Sequence, residues 1–184
     1  SLVTPDEQAP LLSNHLLALN ENTNKTIFFY LLEEAVDEDG DGDIDEDGDG
    51  HIDDIGITVN SLLVENNQSD SIYNHQMKVI NLIDQDEIVD DFSSIKVYFV
   101  RNDEIIENAE QSLTAVFATP SSVVLLNNTY TIYVIGKLDS SDIILSVSEL
   151  ILNEESSDQF IILEKDIDSA TGYQATLSPQ NPTF

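Results

Sequence analysis

Apolar and polar residues alternate in short runs along most of this chain, and the runs are separated by clusters of Asn, Asp, Ser and Gly. That pattern has the two-residue period of β-strands and the punctuation of turns. It predicts strands at Thr26–Leu32, Ile55–Glu65, Met77–Ile83, Ile95–Arg101, Ser112–Ala118, Ser122–Leu126, Thr129–Ile135, Ile143–Leu152, Gln159–Glu164 and Tyr173–Leu177. Turns are expected at residues 66–70, 127–128, 139–142 and 154–158. Thr26–Leu32 is apolar at both alternating sets of positions, which predicts a strand covered on both faces. Residues 1–10, with Pro5 and Pro10, read as a flexible lead-in, and Leu11–Leu19 as a helical turn followed by a strand. Helices have little room, so the fold class is all-β: an antiparallel sandwich.

Two stretches echo each other. His15 to Asn20 precedes the strand at Thr26, and His75 to Asn81 precedes the strand at Ile95. Two related β units would produce this echo, and so would chance similarity among β-rich segments. The expected division is residues 1–74, an N-terminal β unit, and residues 75–184, a C-terminal sandwich.

Composition narrows the function. The chain has 184 residues, 41% of them apolar, enough to build a packed interior. Against 36 Asp and Glu stand 6 Lys and Arg, a formal charge of −30. A nucleic-acid partner needs a basic footprint, and an anionic membrane surface would repel this chain, so neither is expected. Cationic partners are favoured, metal ions first among them. The absence of Cys removes disulfides, thiolate metal sites and cysteine nucleophiles. No apolar run of bilayer length occurs, so no membrane span is expected. Residues 1–10 lack a signal-peptide pattern, so export implies a signal removed ahead of Ser1.

The acids are concentrated in one place. Eleven of the 18 residues from Asp37 to Asp54 are acidic, and four of the chain's seven glycines lie there too. The block Asp-Glu-Asp-Gly-Asp-Gly-x-Ile occurs twice in succession, from Asp37 and from Asp45. Calcium takes six to eight hard oxygen ligands, and alternate residues of a curled loop can aim oxygens at one centre. In EF-hand phase the first block offers Asp37, Asp39, Asp41, the Asp43 carbonyl and Asp45, with Gly42 at the sharp turn. The second offers Asp45, Asp47, Asp49, the His51 carbonyl and Asp53, with Gly50 at the turn. Asp45 serves both blocks, so one or two ions fit. Position twelve, a bidentate Glu in the EF-hand, is Gly48 or Gly56 here, and the flanks read as strands. The segment resembles an EF-hand-like loop, or the tandem Asp-rich repeats of thrombospondin type 3, more than a helix-loop-helix sensor. The remaining ligand is expected from Asp53 or Asp54, Glu33 or Glu34, or water. Two carboxylates 5 Å apart repel by about 0.8 kcal/mol in a water-like dielectric, and a divalent ion reverses that sign. Magnesium is disfavoured because it retains waters. Without the Glu, affinity is expected on the order of 10⁻⁴–10⁻³ M, suited to a calcium-rich exterior.

Other chemistry is thinly represented. His51 sits where a calcium loop uses its carbonyl, and His15 and His75 read as strand-edge residues. No nucleophile elbow, His-Glu-x-x-His or phosphate-cradling loop occurs. The pairs Glu33/Glu34 and Glu154/Glu155 resemble a glycosidase dyad, but 36 acids generate such pairs by chance. For glycan binding the candidates are Tyr73, Tyr130, Tyr133 and Tyr173, most of them inside strand patterns that favour the core.

From Met77 onward, the segments Met77–Ile83, Ser94–Val100, Asn128–Ile135, Ile143–Leu152 and Phe160–Glu164 resemble an uncharacterised family of secreted bacterial β-sandwich domains of cell-adhesion or surface-lipoprotein type. The resemblance implies export to the exterior or cell surface and an Ig-like sandwich, and is compatible with a lipid anchor upstream of Ser1. It implies no activity, and the acidic segment lies outside it. The expected function is a non-enzymatic calcium-binding extracellular structural or adhesion module whose partner is another surface protein or a glycan. The alternatives are a calcium-dependent carbohydrate-binding module and a hydrolase using acidic residues.

Overall fold

The computed structural model describes residues 2–3, 10–12, 24–35, 55–67, 71–84 and 92–181. The protein is all-β, with twelve strands and one short 3-10 turn at Ile106–Asn108 among the described residues. It divides into two compact units, Ser1–Glu65 and Asn66–Phe184.

Among the described residues, the first unit holds two two-stranded sheets. Strand β1 (Leu2–Val3) pairs antiparallel with β2 (Pro10–Leu12). The lead-in expected to be without regular structure therefore contains backbone pairing. β3 (Lys25–Ala35) and β4 (Ile55–Glu65) form a long antiparallel hairpin in unbroken register from Lys25↔Glu65 to Ala35↔Ile55. Lys25 Nζ lies 3.8 Å from Glu65 Oε1 at its open end. β3 is not covered on both faces, as its composition suggested: Phe29 is 51% exposed and Leu31 61%. Those two side chains share a face with Ile57 of β4, which is 59% exposed.

The second unit is a sandwich of two four-stranded sheets. Its strands are β5 (Asn74–Asn81), β6 (Phe92–Arg101), β7 (Gln111–Thr114), β8 (Ser121–Leu126), β9 (Asn128–Leu138), β10 (Ser141–Leu152), β11 (Gln159–Lys165) and β12 (Tyr173–Pro179). One sheet runs β10-β9-β6-β7, the other β12-β11-β5-β8. All pairings in them are antiparallel except β5 with β11. The core follows from period-two alternation. Ile95, Val97 and Phe99 of β6 and Tyr130, Ile132 and Val134 of β9 meet Met77 and Val79 of β5, Leu125 of β8 and Ile161 and Leu163 of β11. Burying these side chains is the main stabilising term, at about 1.5–3 kcal/mol each.

Local chemistry sets the joints. β9 and β10 are joined through Asp139, whose φ of 55° is tolerated by Asp in a tight hairpin turn. β5 stops at Asn81 rather than running to Ile83, because the Asn81 Oδ1 accepts the Ile83 N–H at 3.0 Å and turns the chain. The Asn81 Nδ2 donates to the Ala115 carbonyl at 3.0 Å, so this fully buried amide ties the end of β5 to the end of β7. β7 ends at Thr114, short of the expected Ala118, where the backbone takes a φ of 47°. Gly136 is required by packing: a Cβ there would lie 2.7 Å from Phe92 Cδ1 and 3.0 Å from Leu145 Cδ1. Phe92 covers that glycine and meets Tyr173 edge-on, with ring centroids 5.7 Å apart. The Tyr130 hydroxyl lies 3.1 Å from the Leu126 carbonyl, four residues upstream, the device of the tyrosine corner in Ig-type sandwiches.

Candidate functional site

The acidic segment joins β3 to β4. Ala35 and Ile55 are Cα partners at the end of the hairpin ladder, so residues 36–54 form the closing connection between two adjacent strand ends. Partners across an antiparallel ladder lie about 4.5–5.5 Å apart, so the hairpin has already brought both ends of the connection together. That removes most of the loop-closure cost a metal site would otherwise bear. The candidate ligands Asp37, Asp39, Asp41, Asp43, Asp45, Asp47, Asp49, His51, Asp53 and Asp54 all lie outside the described residues. Among the described residues, no group of three or more His, Cys, Asp or Glu side chains is placed to hold a metal ion.

The other candidates fall into place within the sandwich. His75 lies at the start of β5, paired with Leu125 of β8 and ahead of the stretch that pairs with β11, and its ring is buried. Its Nε2 lies 2.8 Å from the Asn127 Oδ1, and the Asn127 Nδ2 donates to the Ile72 carbonyl at 2.8 Å. The imidazole thus fastens the start of β5 to the β8–β9 junction. His15 lies outside the described residues. Glu154 and Glu155 are exposed in the β10–β11 turn, where the Ser156 N–H donates to the Asn153 carbonyl at 3.0 Å. Buried Asp158 accepts the Gln76 N–H at 2.7 Å, and the neighbouring Gln180 side chain donates to the Gln76 and Gln159 carbonyls. These groups are committed to holding strands together.

One charged cluster perturbs its members. Glu110 Oε2 accepts from the Arg101 Nε at 2.7 Å and from the Tyr130 hydroxyl at 3.0 Å. The hydrogen bond and charge of Glu110 hold the Arg101 guanidinium above its ordinary value. Burial, then Glu110, pushes the Tyr130 phenol up. Both shifts favour the protonation states that Arg101 and Tyr130 already hold at neutral pH, so the two side chains lock β6 to β9 through Glu110. Beside it, Arg101, Asn102, Asp103, Glu104, Asn128 and Thr129 line an open polar depression at one end of the sandwich.

The tyrosines separate clearly. Tyr130 is buried in the core, and Tyr173 packs against it. Tyr73 is 66% exposed beside β5. Tyr133 lies between the inward-facing Ile132 and Val134 and so faces outward, directly opposite Tyr98 of β6. Tyr98 was not singled out by the sequence pattern, because alternation alone does not say which set of positions faces the second sheet.

The fold therefore defines an all-β protein of sandwich type. No family model matches the chain, and neither a curated protein nor a solved structure does. Among the described residues, no helix is long and apolar enough to cross a membrane.

Proposed function

We propose that this chain is a calcium-stabilised, non-enzymatic structural or adhesion module of the extracellular or cell-surface space. The observation that carries the reading is the doubled Asp-Glu-Asp-Gly-Asp-Gly-x-Ile block in the connection that closes the β3–β4 hairpin. Asp37, Asp39, Asp41, Asp45, Asp47, Asp49 and Asp53 would supply carboxylates in EF-hand phase, and the carbonyls of Asp43 and His51 the seventh position of each block. With position twelve occupied by glycine, Asp54, water or an acid of β3 completes the shell. Binding the ion offsets the mutual repulsion of eleven acids in 18 residues and so favours the closed hairpin by mass action. A free-calcium affinity on the order of 10⁻⁴–10⁻³ M keeps the site filled outside cells and empty inside them. The likeness of residues 77–164 to secreted surface domains supports the same placement.

Titration calorimetry with millimolar calcium tests the proposal. Heat of binding for one or two ions is expected, together with a chelator-sensitive rise in the melting temperature of the first unit. No heat and an unchanged melt would reject it.

A further inference from the structure

A second functional surface lies on the outer face of the β10-β9-β6-β7 sheet. Ile95, Val97, Phe99, Ile132 and Val134 point into the core, so the alternate residues Ser94, Lys96, Tyr98, Thr131, Tyr133, Ile135 and Lys137 point away from it. Register aligns them in rows. Val147, Tyr133, Tyr98 and Ser112 lie side by side across all four strands. The row beside it is Ile144, Ile135, Lys96 and Thr114. At about 4.8 Å between strands, each row spans about 14 Å. Val147 is 53% exposed and Ile144 50%, while Tyr98 and Tyr133 are half-buried. Neither tyrosine hydroxyl has a hydrogen-bond partner among the described residues.

We propose that this face binds a neutral polysaccharide, its sugar rings lying flat on the Tyr98–Tyr133 pair. Sugar rings present apolar C–H faces and equatorial hydroxyls. Tyrosine offers the matching pair of surfaces, a rigid apolar ring and a polar tip, at small entropic cost. Ser112 in the same row, and Thr114, Thr131 and Lys96 in the rows on either side, flank the pair and supply hydroxyls and an ammonium as donors and acceptors.

Charge selects the occupant. The chain as a whole carries −30, yet this face holds Lys96 and Lys137 against Asp142 and Glu149, all four exposed. Neither lysine lies within 4.0 Å of a carboxylate among the described residues. The face is locally near neutral on a polyanion. An acidic polymer or a second copy of the chain is repelled by the surrounding field, and a cationic partner is drawn to the acids elsewhere. A neutral, flat, hydroxyl-rich ligand meets neither penalty. The face is on the sandwich, not the hairpin, so this inference stands apart from calcium binding.

Native gel electrophoresis of the full chain through neutral polysaccharides (β-glucan, xylan, mannan) and through alginate tests it. Retardation by a neutral polymer is expected with calcium or with chelator. Tyr98→Ala and Tyr133→Ala are each expected to weaken it about threefold to tenfold, and the double variant to abolish it while the sandwich still melts in one cooperative transition above the temperature of the gel. The chain has no Trp, so quenching of its tyrosine emission by the same polymer gives a second readout that each variant diminishes. Four results would overturn the proposal: no retardation in any neutral polymer, retention by alginate alone, retention the double variant keeps, or concentration-dependent self-association that the double variant removes.

Discussion

The β3–β4 hairpin and the eight-stranded sandwich are built from similar residues and hold together by different means. In the sandwich, β5, β6, β9 and β11 each pair with strands on both sides, and one face of each sheet is sealed against the other. In the hairpin, among the described residues, β3 and β4 pair with each other, and Phe29, Leu31 and Ile57 remain more than half exposed on one face. Two-stranded ribbons are marginal in water, whereas a closed apolar core is self-sufficient. The same strand-forming composition thus yields one part sealed by burial and another with an apolar face left open, which under the proposed function gains its order from calcium in the closing connection.

The sharpest break in that comparison is a cavity in the sandwich. Phe99→Ala, at a fully buried position of β6, is expected to cost about 3–5 kcal/mol. Chemical denaturation should show that loss undiminished by calcium; rescue by calcium would mean that the two parts share one stabilising source.

Next in size is the hairpin's own dependence. At 10 mM calcium and an affinity of 10⁻⁴–10⁻³ M, linkage gives about 1.4–2.7 kcal/mol. Asp39→Asn combined with Asp47→Asn is expected to abolish most calcium heat in calorimetry while leaving the sandwich transition in place. Loss of the sandwich transition as well would show the loop to be integral to the whole core.

A smaller change tests packing within one sheet. Gly136→Ala drives a methyl into Phe92 and Leu145 and is expected to cost about 1–2 kcal/mol, in the lower range for overpacking. Phe92→Leu in the same chain should recover part of it, read from denaturant midpoints; no recovery would mean that Phe92 is not the obstacle.

The finest distinction is by pH. Tyr130 has its folded value raised above 10.0, so the folded protein resists its ionisation. Its contribution is complete below the unfolded value near 10 and is lost as pH climbs through the folded one. Tyr130→Phe loses the hydrogen bonds to Glu110 and Leu126, at about 1 kcal/mol near neutrality, and should flatten the alkaline decline. An equally steep decline in the variant would move the cause elsewhere.

Much of this was legible in the chain. Ten strands were expected from alternation and turn clusters, and strands occupy all ten regions, with Ile55–Glu65 matching end to end. Boundaries slipped where a side chain intervenes, as at Asn81, whose amide captures the Ile83 N–H. The acidic block was equally plain, since doubled Asp and Gly in phase is a pattern of sequence alone.

What sequence by itself determined, then, was the set of strands, the two alternating faces of each and the placing of acids and glycines in one segment. Only tertiary structure decided which face is covered. Tyr130 and Tyr133 stand three residues apart in one strand, and the first is sealed in the core while the second faces outward beside Tyr98. Phe29 and Leu31, as apolar as any core residue, stay exposed. A period of two is fixed by the backbone's own geometry, but burial needs a second sheet, and its strands come from distant parts of the chain, where local pattern carries no information about pairing.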